Sequence, residues 1–207
     1  MDRTALSVRG LDACYGRSHV VQNASLQVGV ECVGLMGRNG AAKTTLVRAI
    51  MGLSPPAASG EVSLFGHSLL GLKPSEISHA GIGYVPQGRK LFPSLSVLET
   101  LKLTERRTRD RPRWDVEAVL ELFPSLRKRL HAESGNLSGG ERSMLAIGRA
   151  LMTNPRFLIL DEPTEGLAPA VVERVAEGLK SLVTEGIPVL LIEQSLRAVE
   201  LATTRLY

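Results

Sequence analysis

Cysteines, aromatic residues and long apolar runs are all scarce in this sequence, and each shortage removes a class of protein. Two cysteines in 207 residues cannot staple a fold. Cys14 and Cys32 match no metal-ligand spacing, so both read as ordinary reduced thiols in a cytosolic setting. The longest apolar runs, at 157–160 and 189–192, are one buried strand long, whereas a bilayer-spanning helix takes about 20 such residues. Met1-Asp2-Arg3-Thr4 has no basic region leading into an apolar stretch, so no secretory signal is read there. Charge of one sign is also modest. The formal net charge of +4 is too mild to argue a nucleic-acid partner. The basic residues gather at Arg106, Arg107, Arg109, Arg111 and Arg113, and again at Arg127, Lys128 and Arg129. No aromatics interleave with them as stacking platforms, which argues against RNA or single-stranded DNA. They read as a solvated helical surface or as a docking face for a partner.

What is present suits a globular enzyme-sized domain. The chain is 43% hydrophobic and 22% charged, with 20 glycines and 11 prolines, which excludes disordered and collagen-like classes. Its length fits one large domain, or one domain with an insert, and buries a substantial core without metal or disulfide support.

Periodicity predicts strands at 5–9, 20–28 and 31–36, a helix at 43–52, and strands at 61–65 and 82–85. From about 88 to 136 the chain is rich in Leu and Arg, punctuated by Pro93, Pro112 and Pro124, and shows no clear strand, so a helical insert is expected. Beyond it a helix at 139–153, a strand at 157–160, a helix at 169–184, a strand at 188–192 and a helix at 195–202 follow. Val171, Val175, Leu179, Leu182 and Val183 share one helical face, which Gly186 and Pro188 end. The runs at 157–160 and 189–192 lack alternation, as strands covered on both faces do. Alternating strands and helices imply an α/β fold with a mainly parallel sheet.

Three segments carry chemistry. The first, Gly37-Arg38-Asn39-Gly40-Ala41-Ala42-Lys43-Thr44-Thr45, follows an apolar strand and opens a helix, the setting of a phosphate-binding loop. Successive backbone N–H groups there converge on an anion at the positive end of the helix dipole. Lys43 would reach the outer phosphates, Thr44 would hold Mg²⁺ and Thr45 would contact an inner phosphate. The pattern asks for glycine at position 42 and finds Ala42, whose Cβ would crowd the phosphate or strain the backbone by about 1–3 kcal/mol. The second segment sets Asp161 and Glu162 at the end of the run 157–160, at the carboxyl edge of the sheet where α/β ligands bind. Asp161 there suits Mg²⁺ through water and Glu162 suits activation of a water, while acids capping a helix remain the plainer reading. The third, Ser138-Gly139-Gly140-Glu141, has capping-box spacing, so it is either a well-capped helix start or a glycine-lined approach for an anion.

In this order the three segments resemble the ATP-binding subunits of ABC transporters. Further support comes from Tyr84-Val85-Pro86-Gln87-Gly88-Arg89-Lys90-Leu91-Phe92-Pro93, the stretch 145–155, and Asp161-Glu162-Pro163-Thr164-Glu165-Gly166-Leu167-Ala168-Pro169. The resemblance covers essentially the whole chain. It implies a P-loop ATPase domain over 1–207 with an N-terminal antiparallel β part. The catalytic core would be formed by 1–87 and 137–207, and a helical subdomain by 88–136. It implies ATP and Mg²⁺ as ligands and a head-to-tail dimer with a sibling ATPase subunit, homo- or heterodimeric. Glu162, Gln194 and Gln87 would be catalytic, and Thr44, Gln87 and Asp161 would serve the metal. Residues 37–45 would hold ATP, with Tyr15 stacked on adenine or, as the plainer alternative, a core or turn tyrosine. Ser138, Gly139, Gly140 and Glu141 would close on the partner's nucleotide. Transmembrane permease subunits would contact the insert at Leu91, Phe92 and Pro93, with an extracytoplasmic solute-binding protein reached indirectly and no nucleic acid involved. The setting would be the cytoplasmic face of a bacterial-type membrane.

Within the family the motifs resemble importers of branched-chain amino acids, with urea or short-amide importers close behind. Ile192-Glu193-Gln194 places Gln where many members carry His; glutamine can hydrogen-bond a phosphate oxygen but takes no positive charge. Ala168 stands where many members have Asp. The end at Arg205-Leu206-Tyr207 reads as shortened, with terminal strands missing and a sheet edge exposed, so reduced solubility or a covering partner is expected.

Overall fold

The computed structural model describes residues 4–38, 40–105 and 113–207. Asn39 and the arginines at 106, 107, 109 and 111 lie outside the described residues. The chain begins with β1 (Leu6–Tyr15) and β2 (Ser18–Val28), an antiparallel hairpin turned at Gly16 and Arg17. β1 runs well past the expected end at residue 9. Its register shifts between Val8 and Leu11, where Gly10 takes a φ of 55°, so a bulge interrupts the alternation that a sequence reading follows. β3 (Cys32–Met36) leads through the loop to α1 (Lys43–Ile50).

β4 (Ala57–Leu64) returns to pair antiparallel with β1, and β5 (His67–Ser68) pairs with β4, giving a four-stranded sheet in the order β2-β1-β4-β5. Gly60 makes that closeness possible, since a Cβ there would sit 2.4 Å from the carbonyl oxygen of Gly10. A short helix not expected from periodicity, α2 (Pro74–Ala80), has proline in its first turn and Glu76 bonded back to the Lys73 N–H.

β6 (Ile82–Val85) precedes the region expected to be helical, which contains α3 (Val97–Lys102), α4 (Val116–Leu122) and α5 (Pro124–Arg127). Arg127 pairs with Glu117 across α4 and α5, and Arg129 with Glu141 at 3.5 Å. Both arginines are half exposed, and such surface pairs contribute about 0–1 kcal/mol each. The long α6 (Gly139–Leu151) follows, then β7 (Phe157–Asp161), α7 (Pro169–Thr184), β8 (Val189–Glu193) and α8 (Leu196–Ala202).

β9 (Arg205–Leu206) is a terminal strand where the sequence reading expects such strands to be missing, and it forms an exposed edge of the sheet itself. It lies parallel to β3, pairing Arg205 with Val33 and Leu206 with Gly34, and the Met36 N–H donates to the Tyr207 carbonyl at 3.0 Å. The second sheet is therefore five-stranded and parallel, in the order β6-β7-β8-β3-β9.

Every residue of β7 and β8 is buried, as strands covered on both faces require. Their two-residue period splits the core in two. Leu158, Leu160, Val189 and Leu191 face a cluster built with α3, α4, α6 and α7. Phe157, Ile159, Leu190 and Ile192 face the other cluster, built with α1 and the antiparallel sheet. Among the described residues no helix is long and apolar enough to cross a membrane. The carboxyl ends of β3, β7 and β8 emerge together, so the loops after Met36, Asp161 and Glu193 share one edge.

Candidate functional site

At that edge the sequence-predicted residues of three loops meet. α1 starts at Lys43 without a side-chain cap and without an acidic residue in its first turn, leaving N–H donors and the positive dipole end free of a built-in anion. Ala42 caps it at φ 61°, ψ 10°, the left-handed conformation expected to strain a residue with a Cβ. A cavity of about 230 Å³ is lined by Gly40, Ala41, Ala42, Lys43, Thr44, Thr45, Val20, Gln87 and Glu162. Gly37 and Arg38 line a more open hollow beside it with Met36 and Gln194.

Lys43 is 7% exposed and bends back, donating through Nζ to the carbonyls of Gly37 at 2.5 Å and Arg38 at 3.1 Å. Its ammonium lies 3.8 Å from Glu162 Oε1. Glu162, 5% exposed and left-handed at φ 51°, is bracketed by two amides. Gln87 Nε2 donates to its Oε2 at 3.0 Å, and Gln194 Nε2 donates to its Oε1 at 2.7 Å. Residues from 75 and 32 positions away thus converge on one carboxylate.

Asp161, 1% exposed, has both carboxylate oxygens without a hydrogen-bond partner among the described residues. Burial pushes its pKa up to about 6, the neighbouring Thr44 hydroxyl opposes the rise without closing a bond on either oxygen, and Glu162 adds to it. A buried carboxylate left unpaired beside a hydroxyl is the donor set that a hard, oxygen-seeking cation completes. No group of three His, Cys, Asp or Glu side chains among the described residues forms a metal cage.

Two residues were missed by sequence reasoning. Glu193, 1% exposed, accepts at Oε1 from the Thr164 N–H at 2.9 Å and the Thr164 hydroxyl at 2.7 Å, and at Oε2 from the Gln194 N–H at 3.2 Å. It ties the turn leaving Glu162 to the loop carrying Gln194. Val20 lines the cavity, whereas Tyr15, the expected adenine platform, sits 37% exposed at the end of β1 and is not among the lining residues.

The start of α6 does not join this cavity. Ser138 Oγ accepts from the Glu141 N–H at 3.3 Å and Glu141 Oε2 accepts from the Ser138 N–H at 2.8 Å, a closed capping box. Gly140 is buried because a Cβ there would meet Val171 Cγ1 at 2.3 Å, so this glycine serves the packing of α6 on α7. Of the cysteines, Cys32 is buried, and burial pushes its pKa up to about 12, so it is an inert thiol.

An uncapped helix start after a parallel strand, with a lysine and an acidic strand end across the cavity, defines a P-loop nucleotide-binding ATPase. The family profile described as ABC transporter matches residues 21–165, and the chain belongs to that family. It is 42% identical over 192 residues to the high-affinity branched-chain amino acid transport ATP-binding protein BraG of Pseudomonas aeruginosa, across 92% of this chain and 82% of that protein. It is 39% identical over 189 residues to the Nod factor export ATP-binding protein I of Cupriavidus metallidurans, across 90% of this chain and 61% of that one. Its fold matches a crystal structure of a nucleotide-free ATP-binding cassette from an ABC transporter, with a TM-score of 0.84, 27% identity, 99% of this chain covered and 87% of the other.

Proposed function

We propose that this chain hydrolyses ATP, with Mg²⁺, to power import of branched-chain amino acids through permease subunits at the cytoplasmic face of a membrane. The solute assignment rests on the resemblance to BraG and on the motifs around Gln87, Thr164 and Gln194. An export protein among the relatives at comparable identity makes the solute the first part of the reading to test. An extracytoplasmic solute-binding protein would deliver it.

The single observation that carries the ATPase reading is Glu162, held by the amides of Gln87 and Gln194 at 3.0 and 2.7 Å across the cavity from the uncapped start of α1. In the reaction, residues 37–45 bind the phosphates through backbone N–H groups, and Lys43 exchanges its two carbonyl partners for phosphate oxygens. Thr44, Gln87 and Asp161 would hold Mg²⁺, which supplies charge neutralisation on the phosphates. Glu162 accepts a proton from the attacking water. The new bond forms from that water to the γ-phosphorus, and the bridging bond to ADP breaks. Gln194 donates a hydrogen bond to a γ-phosphate oxygen. Tyr15 would reach adenine from its exposed place on the hairpin. Ser138 accepts from Glu141 and so keeps its own O–H free to donate, which with Gly139 and Gly140 suits contact with the nucleotide of a sibling subunit.

A second reading is favoured by Ala42, whose left-handed backbone and methyl group line the cavity. In it the chain is a weakly nucleotide-binding half of a heterodimer. Equilibrium MgATP binding of the chain and its Ala42→Gly variant, followed by steady-state turnover, separates the two. Equal micromolar-range binding with turnover supports the ATPase, and binding only by the glycine variant supports the structural half.

A further inference from the structure

Gln87 sits on a turn whose next three residues all have left-handed backbone, Gly88 at φ 73°, Arg89 at 62° and Lys90 at 45°. Glycine takes this conformation freely, but a residue with a Cβ does so at a cost of about 1–2 kcal/mol. Two in succession persist only where the surroundings hold them. Two arginines do so here. Arg149 of α6 donates to the Lys90 carbonyl at 2.8 Å and to the Arg89 carbonyl at 3.1 Å. The Arg89 side chain reaches the opposite way. Its Nε donates to Ser143 Oγ at 2.8 Å, and its Nη2 donates to the Glu165 carbonyl at 2.8 Å, with the Pro163 carbonyl at 3.5 Å. Ser143, buried on α6, donates in turn to the Pro163 carbonyl. One guanidinium therefore joins the turn carrying Gln87, the turn leaving Glu162 and the helix that Ser138 opens.

We propose that Arg89 is a positioning residue for hydrolysis. By tying the Gln87 turn to residues 163–165, it fixes the Gln87 amide against Glu162 and so the direction in which Glu162 meets the attacking water. Only a planar fork does this. A lysine ammonium is a point charge that cannot serve a hydroxyl and a carbonyl in fixed directions at once. The proposal rests on the ATPase reading above, through the placement of Gln87 and Glu162 at the reacting phosphate. It concerns rate rather than binding, because the hydrogen bonds of the Arg89 side chain go to Ser143, Pro163 and Glu165.

The test uses the full chain and measures MgATP binding and steady-state hydrolysis for the parent, Arg89→Gln, Arg89→Lys and Ser143→Ala. Arg89→Gln is expected to lower kcat roughly 10–100-fold while KM and the MgATP Kd stay within about twofold. Arg89→Lys recovers only part of the loss, and Ser143→Ala shows a smaller fall of the same kind. In a Gln87→Ala background, Arg89→Gln adds little further loss, because the group it places is gone. An unchanged kcat in Arg89→Gln, a rise in Kd at constant kcat, full rescue by lysine, or additive losses with Gln87→Ala each overturn the proposal. Where Arg89→Gln fails to fold, Ser143→Ala decides it, and a parent-like kcat there overturns it. A parent chain that binds no MgATP overturns the ATPase reading instead, so the two failures are distinct.

Discussion

The helices α1 and α6 both start at glycine-containing turns, and they start in opposite ways. α6 finishes its own hydrogen bonds. Ser138 and Glu141 close a capping box, and Gly140 is pressed under Val171. α1 finishes nothing. It has no side-chain cap, no acid in its first turn and a strained Ala42 before it, and it faces an aspartate whose two oxygens have no partner among the described residues. A fold keeps unsatisfied groups and strain where a ligand will later complete them. The difference separates a helix start left open toward a cavity from one whose hydrogen bonds and packing are complete within the chain.

The sharpest way to test the ligand side of this contrast is Glu162→Gln. The side chain keeps its shape but loses the base, and its one carbonyl oxygen accepts from only one of the Gln87 and Gln194 amides unless the other amide turns over. Turnover is expected to fall roughly 10²–10⁴-fold with MgATP binding retained, and ATP-bound pairs of chains should accumulate in size-exclusion chromatography. Rapid turnover in this variant would remove Glu162 from the role.

On the finished side, Gly140→Ala forces a methyl into Val171. Overpacking of this kind costs about 1–3 kcal/mol, read as a lower melting temperature, while MgATP binding by the isolated chain holds. Adding Val171→Ala should recover much of the loss. A parent-like melt for Gly140→Ala alone would show that the glycine is there for something other than packing.

Asp161→Asn tests whether α1's neighbour is held unsatisfied. With chelator present, the variant is expected to be more stable than the parent by about 1 kcal/mol or more, the value of one pKa unit, because an unpaired buried charge is removed. Stabilisation by Mg²⁺ with ATP should be lost in the same variant. The sign with pH is fixed by the raised pKa. Between its ordinary value of 3.8 and about 6 the folded carboxyl holds a proton that the unfolded one releases, so acidification relieves the parent and narrows the gap to the variant. A gap that widens from about pH 7 to pH 5 would contradict this.

Much of this was legible in the sequence because it was local. The spacing of Val171, Val175, Leu179 and Leu182 marked α7, and Ser138 with Glu141 marked the start of α6. The continuous runs at 157–160 and 189–192 marked the doubly covered strands β7 and β8. What stayed hidden depends on distant partners. Glu193 gains its meaning from Thr164, 29 residues away, and Arg89 from Ser143 and Glu165, 54 and 76 residues away. β1 outran its pattern because the bulge near Gly10 changes which face a residue points to. β9 is only two residues long and exists because Gly34 leaves room for Leu206, whose Cδ1 would lie 3.0 Å from a Cβ at that position. Neither propensity nor periodicity encodes such an edge.

Ala42 gives the smallest and most informative effect. Its φ of 61° is a conformation in which a Cβ costs about 1–2 kcal/mol relative to glycine, and its methyl packs partly against the core formed with α1. Ala42→Gly relieves the backbone but loses that packing and frees the unfolded chain, so the net gain in stability is expected to stay under about 1 kcal/mol. The effect on MgATP binding is a separate question, since the same methyl lines the cavity. If α1's open end is limited only by backbone strain, binding and melting improve together and by similar free energies. If the methyl also crowds the phosphate, binding improves more than melting does. A variant that melts higher yet binds MgATP no better would show that the loop already holds its phosphate geometry with alanine in place. The incompleteness of α1 would then lie wholly in Asp161 and the uncapped N–H groups.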